Sequence, residues 1–266
     1  MTSIMSHLPL ALFTTLGALG AGAFVGLAIA FVKGGLTAEQ EQAADRKTPI
    51  FFVVALLGLI AAVFHLTAPL AGFNVVNGIG RSPLSNEVAV FSLFMVVAAV
   101  YSVMAFTGKL GGARKGLVLV TAVLALVLGV MMGMAYMVYT IPSWNNPGTV
   151  MQMLGFVLAG SALALVALPA GDGTKAVKLA SVAGLVLAVV GLAVQVMVTG
   201  GVTAAMVTGA ALVSQALPLV LVAVVLAVVA AFCLLKDKAL PGVAALVVAT
   251  FVARLAFYVM EIGVGL

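Results

Sequence analysis

Eight apolar stretches, each long enough to cross a bilayer, fill almost the whole of this 266-residue chain and dictate what it can fold into. They run near residues 8–33, 50–73, 87–107, 115–140, 148–169, 176–199, 212–235 and 240–262. A helix rising 1.5 Å per residue crosses the roughly 30 Å hydrocarbon layer with about 20 residues. No water reaches the backbone there, so such segments satisfy themselves as helices. Charged residues make up only 7% of the chain and hydrophobic ones 65%, whereas a soluble domain carries about 25% charged residues. The predicted fold is therefore all-α: a polytopic membrane bundle of eight transmembrane helices, forming a single domain over 1–266. The link between the sixth and seventh stretches (Gly200, Gly201, Thr203, Thr208, Gly209) is small and weakly polar. Seven spans plus a re-entrant segment is thus the alternative count. The first stretch lacks a basic lead-in and an A-x-A cleavage site, and is expected to remain as a span.

The charges alternate with the spans. Lys33, Arg46 and Lys47 follow the first, Lys109, Arg114 and Lys115 the third, Lys175 and Lys178 the fifth, and Lys236 and Lys238 the seventh. Ten of the twelve basic residues thus fall in one set of loops; only Arg81, in the opposite set, and Arg254, inside the last span, do not. The positive-inside bias predicts a multi-pass protein of the cytoplasmic (inner) membrane with both termini outside. The net charge of +5 is then a topology signal and no indication of nucleic acid as a partner; the expected surroundings are membrane lipid. Gly22 and Gly26 form a G-x-x-x-G pair in the first span, with Gly17 before it. Such a stripe seats a neighbouring helix of the same bundle or a second copy of the protein. The clustered Met131, Met132, Met134 and Met137 suit adaptable packing.

Metal chemistry finds little support. The single cysteine, Cys233, permits no internal disulfide, and an iron–sulfur cluster needs about four thiolates. Bis-histidine haem ligation would require both histidines, His7 and His65, and His7 reads as a solvated residue ahead of the first span. No metal site, haem, iron–sulfur cluster or molybdenum is expected in the chain. Nor does any dinucleotide or phosphate-binding fingerprint occur.

Ionisable groups inside a membrane are expensive and mark functional candidates. His65 is expected about fifteen residues into the second span, roughly 22 Å along it and in the outer half of the bilayer. Pro69, one turn on, is expected to kink that helix and free a carbonyl. Glu87 opens the third span at the same level. Ser85 or Asn86 can cap that helix with Glu87 against its dipole, although a carboxylate there can also do chemistry. In the last span Arg254, Tyr258 and Glu261 share one helix face, and Arg254 can pair with Glu87 or Glu261. A histidine, a carboxylate and an arginine at one depth beside apolar spans suit a lipid-soluble diol, because oxidising a quinol requires two protons to leave and an imidazole titrates near neutrality.

The run HLTAPLAGFNVVNGIGRSPLSNE, from His65 to Glu87, resembles the membrane-anchor subunits of dimethyl sulfoxide reductase, the DmsC family. Its residues His65, Leu66, Pro69, Leu84, Ser85, Asn86 and Glu87 match that family's second outer turn. YTIPSWNNPGT, with Tyr139, Pro142, Trp144 and Asn145, resembles the outer loop after span four, and RLAFY, with Arg254, Phe257 and Tyr258, the last span. The family has an acid one turn before that arginine where this chain has Thr250, which leaves the arginine's partner open. The resemblance implies eight spans with both termini outside. It also implies that menaquinol (menaquinone once oxidised) is bound near the outer face, with His65 and Glu87 as the reacting groups and Asn86, Arg254 and Tyr258 around it. It further implies an iron–sulfur electron-transfer subunit and a molybdopterin catalytic subunit docked outside. Arg81, Asn74 and Asn77, in the intervening outer turn, can bind the quinol or dock the partner; docking is favoured for Arg81, the one outward-loop cation, and Asn77 and Trp144 are set beside it as docking residues. A small-molecule or ion transporter, disfavoured by the lack of internal repeats, and a passive anchor without a quinol site are the competing readings.

Overall fold

The computed structural model describes residues 2–65, 69–169, 172–204 and 207–263. Among these, the helices are α1 (Thr2–Lys33), α2 (Ala38–Asp45), α3 (Thr48–Val63), α4 (Pro83–Phe106), α5 (Arg114–Tyr136), α6 (Pro147–Gly160), α7 (Asp172–Gly200), α8 (Gly209–Leu235) and α9 (Ala239–Val259), with an isolated Thr203–Thr208 bridge as the one trace of β pairing. Eight segments are long and apolar enough to cross a membrane. The segments on either side of Thr203–Thr208, α7 and α8, are both full-length helices, so the count is eight and the re-entrant alternative is dropped.

Helix α1 runs up the centre of the bundle, packed by α3, α5, α6, α7 and α9 and buried along most of its length. Small residues make this possible. A Cβ placed on Gly22 would sit 2.8 Å from the Cα of Gly160 in α6, and one on Gly20 would sit 2.9 Å from the Cα of Ala55 in α3. Gly26 faces Ser161 and Ala164, where α6 tightens into a 3-10 turn over Ser161–Val166. The G-x-x-x-G stripe is therefore used within the chain, because lipid supplies no hydrophobic drive between helices and close backbone approach must supply the attraction. Helix α1 stops where Gly34 and Gly35 adopt positive φ (73° and 85°), the left-handed conformation that commonly ends helices.

The second span differs from its expected limits. Apolar length predicts a helix over 50–73; α3 ends at Val63, Phe64 caps it, and Pro69–Gly78 form a 3-10 segment. Leu66 of the His-Leu-x-x-Pro motif lies outside the described residues. Pro69 thus begins a new element instead of kinking a continuing helix. A proline lacks the amide proton and disfavours helical backbone before it, but the run from Leu66 to Phe73 stays apolar, so hydropathy carries the expected span too far. The third span starts earlier than expected. Ser82 is the N-cap of α4, its hydroxyl accepting from the Ser85 amide (3.4 Å), and Pro83 sits at the first turn. Ser85 and Asn86 are consequently not caps, and Glu87 lies beyond the first turn.

The bundle has two polar ends. The start of α1 and the segment after α9 meet at one, which we call the terminal end: His7 of α1 and Glu261 just past α9 form an ion pair of 3.0 Å. The opposite, basic end collects the ten loop cations. There the stretch expected to be loop holds α2, a polar helix begun by a Thr37–Gln40 capping box. Its last residue, Asp45, is buried and accepts from the Tyr101 hydroxyl (2.5 Å) and the Arg114 Nε (2.6 Å), while Arg114 also pairs with Glu41 (2.9 Å). Arg114 thus ties α5 to α2 as well as being a topology signal, and Asp45 ties α2 to α4 through Tyr101. Lys178 of α7 likewise pairs with Asp237 after α8.

Two substitutions test this frame. Gly22→Val should drive α1 and α6 apart and destabilise the bundle by about 1–3 kcal/mol, read as a lower unfolding temperature in detergent. Asp45→Asn should lower stability by roughly 1–3 kcal/mol by leaving the buried ends of Tyr101 and Arg114 poorly matched. In a double-mutant cycle with Tyr101→Phe the two losses should fall short of additive.

Candidate functional site

Three helices, α1, α5 and α9, meet at Arg254 at the terminal end. Arg254 is fully buried. Its Nε donates to Thr14 Oγ1 of α1 (2.8 Å) and its Nη2 to the Tyr258 hydroxyl one turn on (2.9 Å). Its guanidinium lies 4.0 Å from the ring centroid of Phe257, 4.7 Å from that of Tyr136 and 4.8 Å from that of Tyr258. Three aromatic faces thus replace much of the water that a cation loses on burial. The Tyr258 and Tyr136 hydroxyls are 2.6 Å apart, which binds α9 to the end of α5. Arg254 Nη1 keeps no hydrogen-bond partner among the described residues.

The carboxylate of Glu87 projects inward from α4. It is 3% exposed, and its Oε1 has no hydrogen-bond partner among the described residues either. Glu87 makes no direct ion pair with Arg254, yet Arg254, Tyr136 and Tyr258 all lie within its electrostatic reach. The expected Arg254–Glu87 ion pair is therefore not formed, and each residue keeps one buried polar atom without a hydrogen-bond partner among the described residues. Glu261, the other candidate, lies beyond the end of α9 and turns to His7.

His65 occupies the exposed turn after α3, closer to the rim than its expected place within a helix. Among the described residues its imidazole makes no hydrogen bond and touches the ring of His7, with centroids 6.4 Å apart. His65 and Glu87 are thus linked through His7 and Tyr258 and share no bond. His7, expected to be solvated, is half-buried instead. Its ring stacks parallel on Tyr258 at 4.8 Å and meets the edge of Trp144 at 6.3 Å. A bis-histidine haem would need the two rings on opposite faces of a porphyrin; here they contact each other, and His7 Nε2 is held by Glu261. Among the described residues no three histidine, cysteine or acidic side chains converge as metal ligands.

The remaining expected site residues divide between surface and core. Arg81 and Asn77 stand exposed, with Arg81 Nη2 donating to the Asn77 carbonyl (3.1 Å). Asn86 is half-buried, and its Oδ1 closes the preceding turn by accepting from the Gly80 amide (2.7 Å). Trp144 is a correction to the docking set. It is 6% exposed, stacks on Phe257 with centroids 5.0 Å apart, and donates from Nε1 to the Phe257 carbonyl (3.3 Å). A large amphipathic ring in an outer loop reads as a contact for a partner, but here its apolar face is needed to cover α9. The loop that carries it also latches the chain end: the Ile262 amide donates to Ser143 Oγ (3.1 Å).

Thr14, Tyr136 and the buried amide pair Gln152–Gln195 are not found by reading the sequence. Gln152 Nε2 donates to Gln195 Oε1 (2.7 Å), and the Gln195 amide reaches the Phe257 carbonyl (3.5 Å). The available signal is a glutamine inside each of two apolar spans, which a search confined to ionisable side chains passes over. A cavity of about 140 Å³ lies at the other end of the bundle, beside Lys178 and Asp237. The Arg254 cluster itself is tightly packed, and His7 borders it by stacking on Tyr258.

Comparison with known proteins agrees with this architecture. Residues 1–261 match the family described as DMSO reductase anchor subunit (DmsC). The protein is 34% identical over 189 residues to the C subunit of the anaerobic dimethyl sulfoxide reductase of Escherichia coli K12, covering 69% of this sequence and 66% of that one. It is 36% identical over 173 residues to the anaerobic dimethyl sulfoxide reductase protein YnfH of the same organism, covering 62% of this sequence and 59% of that one. With the corresponding C subunit of Haemophilus influenzae Rd the identity is 33% over 152 residues, 55% of this sequence and 52% of that one. The aligned stretches thus span between about half and two thirds of these relatives' lengths. The family match nonetheless extends from the first residue to Glu261, and this multi-pass membrane protein belongs to the DMSO reductase anchor subunit (DmsC) family.

Proposed function

We propose that the protein anchors a molybdopterin oxidoreductase to the cytoplasmic membrane and oxidises menaquinol at its terminal end, which faces outward. The observation that carries this reading is the pair of buried polar atoms without partners among the described residues, Glu87 Oε1 and Arg254 Nη1, at an aromatic cluster bordered by His7 and His65. A buried polar atom without a partner is costly, and a hydroxyl can accept from a guanidinium and donate to a carboxylate. A quinol offers such hydroxyls on an aromatic ring, with an isoprenoid tail suited to the apolar flanks of the bundle. Arg254 orients one oxygen, Glu87 the proton beside it, and the His65 imidazole takes a proton at the rim. Two protons leave outward as two electrons pass singly to an iron–sulfur subunit, and from there to the molybdopterin subunit. Arg81 and Asn77, exposed on the same end, are the docking residues. The family match and the relatives named as dimethyl sulfoxide reductase subunits support the anchor role. The basic loops at the other end support the orientation.

In the intact complex, His65→Ala and Glu87→Gln should each lower oxidation of a quinol analogue by at least about 100-fold. Membrane attachment and reduction driven by an artificial donor to the catalytic subunit should persist. Full quinol turnover in both variants would favour a passive anchor. Arg254→Lys keeps the charge but loses the fork and the stacking. It should raise the apparent KM for the analogue about tenfold or more, measured by steady-state kinetics.

A further inference from the structure

We infer that His7 and Glu261 form the proton exit of this site, with the two ends of the bundle's first and last helices clasped to make it. The relay takes its proton from the quinol proposed above and so rests on that reading.

The two nitrogens of His7 have different surroundings. Nε2 faces Glu261 Oε2 at 3.0 Å, and the side chain of Glu261 is 30% exposed to water. Nδ1 is buried and has no hydrogen-bond partner among the described residues. The contact with a carboxylate fixes the tautomer: the proton sits on Nε2, and Nδ1 is left as a free acceptor on the buried side. An imidazole so held can take a proton at Nδ1 and release the one on Nε2 to the carboxylate, which passes it to water. No charge is then stranded inside and no ring rotation is needed for the outward step. Turning of the ring about Cβ–Cγ then recovers the starting tautomer, since handing the Nδ1 proton back inward would undo the export. The step moves protons only; the electrons go to the one-electron acceptor of the partner subunit.

Packing holds the ring in this register. It stacks parallel on Tyr258, whose hydroxyl accepts from Arg254, and Trp144 closes its edge. The neighbouring ring of His65, 6.4 Å away, is the nearest source of a proton already taken from substrate. The titratable groups facing His7 are Glu261, Tyr258 and His65. Glu261 itself is placed by the short segment after α9, which the Ile262 amide pins to Ser143. None of this needs His7 to bind a metal or to contact a partner.

The test uses the intact complex in liposomes with a quinol analogue, and with a quinone-site inhibitor whose binding is measured separately. His7→Ala should bind the inhibitor within about twofold of wild type and lose about 10–100-fold in maximal rate. Added imidazole should restore part of that loss. Glu261→Gln, nearly isosteric, should lose about tenfold and show a larger solvent deuterium isotope effect. The double variant should be no slower than His7→Ala, since the groups act in series. Wild-type rates in His7→Ala and Glu261→Gln, with His65→Ala inactive, would overturn the relay and leave the quinol site standing. A wild-type complex that neither binds the inhibitor nor oxidises the analogue would overturn both.

Discussion

A fully buried guanidinium organises one end of this bundle. Arg254 can stay buried because Thr14 and Tyr258 accept its protons and three aromatic rings line its faces. Each of those partners comes from a helix that must then sit in register: Thr14 from α1, Tyr136 from α5, Phe257 and Tyr258 from α9. Trp144 and the Gln195 amide join through the Phe257 carbonyl. Stacking of His7 on Tyr258 follows from the same arrangement, and so does the meeting of α1 with the segment after α9. Removing a cation held in this way would leave its polar partners unmatched in a medium that supplies no replacements.

The two ends solve the problem of polarity differently. At the basic end, Arg114 bonds to both Asp45 and Glu41, and the Tyr101 hydroxyl completes the set by donating to Asp45. That knot is saturated and reads as a fastening. At the terminal end Glu87 and Arg254 are close enough to feel each other but not bonded, and each keeps an unsatisfied atom. Between the two ends runs α1, whose glycines let α3 and α6 approach to backbone contact. The spacing of the polar end is thereby set by rigid helix packing and not by loops. A site built that way can hold two polar groups unpaired, as a ligand that must bond to both would require.

Much of this is legible in the sequence because the bilayer enforces simple rules. The eight spans follow from apolar length, and the gathering of the loop cations at one end follows from their alternation. The G-x-x-x-G stripe announces a close helix contact but not which helix, since Gly160 lies far along the sequence. Hydropathy fails where apolar residues do not form helix, as after Val63, and where polar ones do, as in α2. The Arg254–Tyr258 bond is readable from helical spacing. The Thr14 contact, 240 residues away, is not. Trp144 misleads because a loop tryptophan has no periodicity to show which way it faces, and His7 because its partner follows the last helix.

The central claim is that a quinol sits against the His65, Glu87 and Arg254 end of this protein. The most direct measurement is photolabelling of the purified complex with a photoreactive menaquinone analogue, followed by peptide mapping. Saturable labelling, displaced by unlabelled menaquinone, is expected in peptides carrying His65, Glu87 or the stretch from Arg254 to Glu261. Displaceable labelling confined to the basic end, around Lys178 and Asp237, would contradict it, as would the absence of any displaceable label on this subunit.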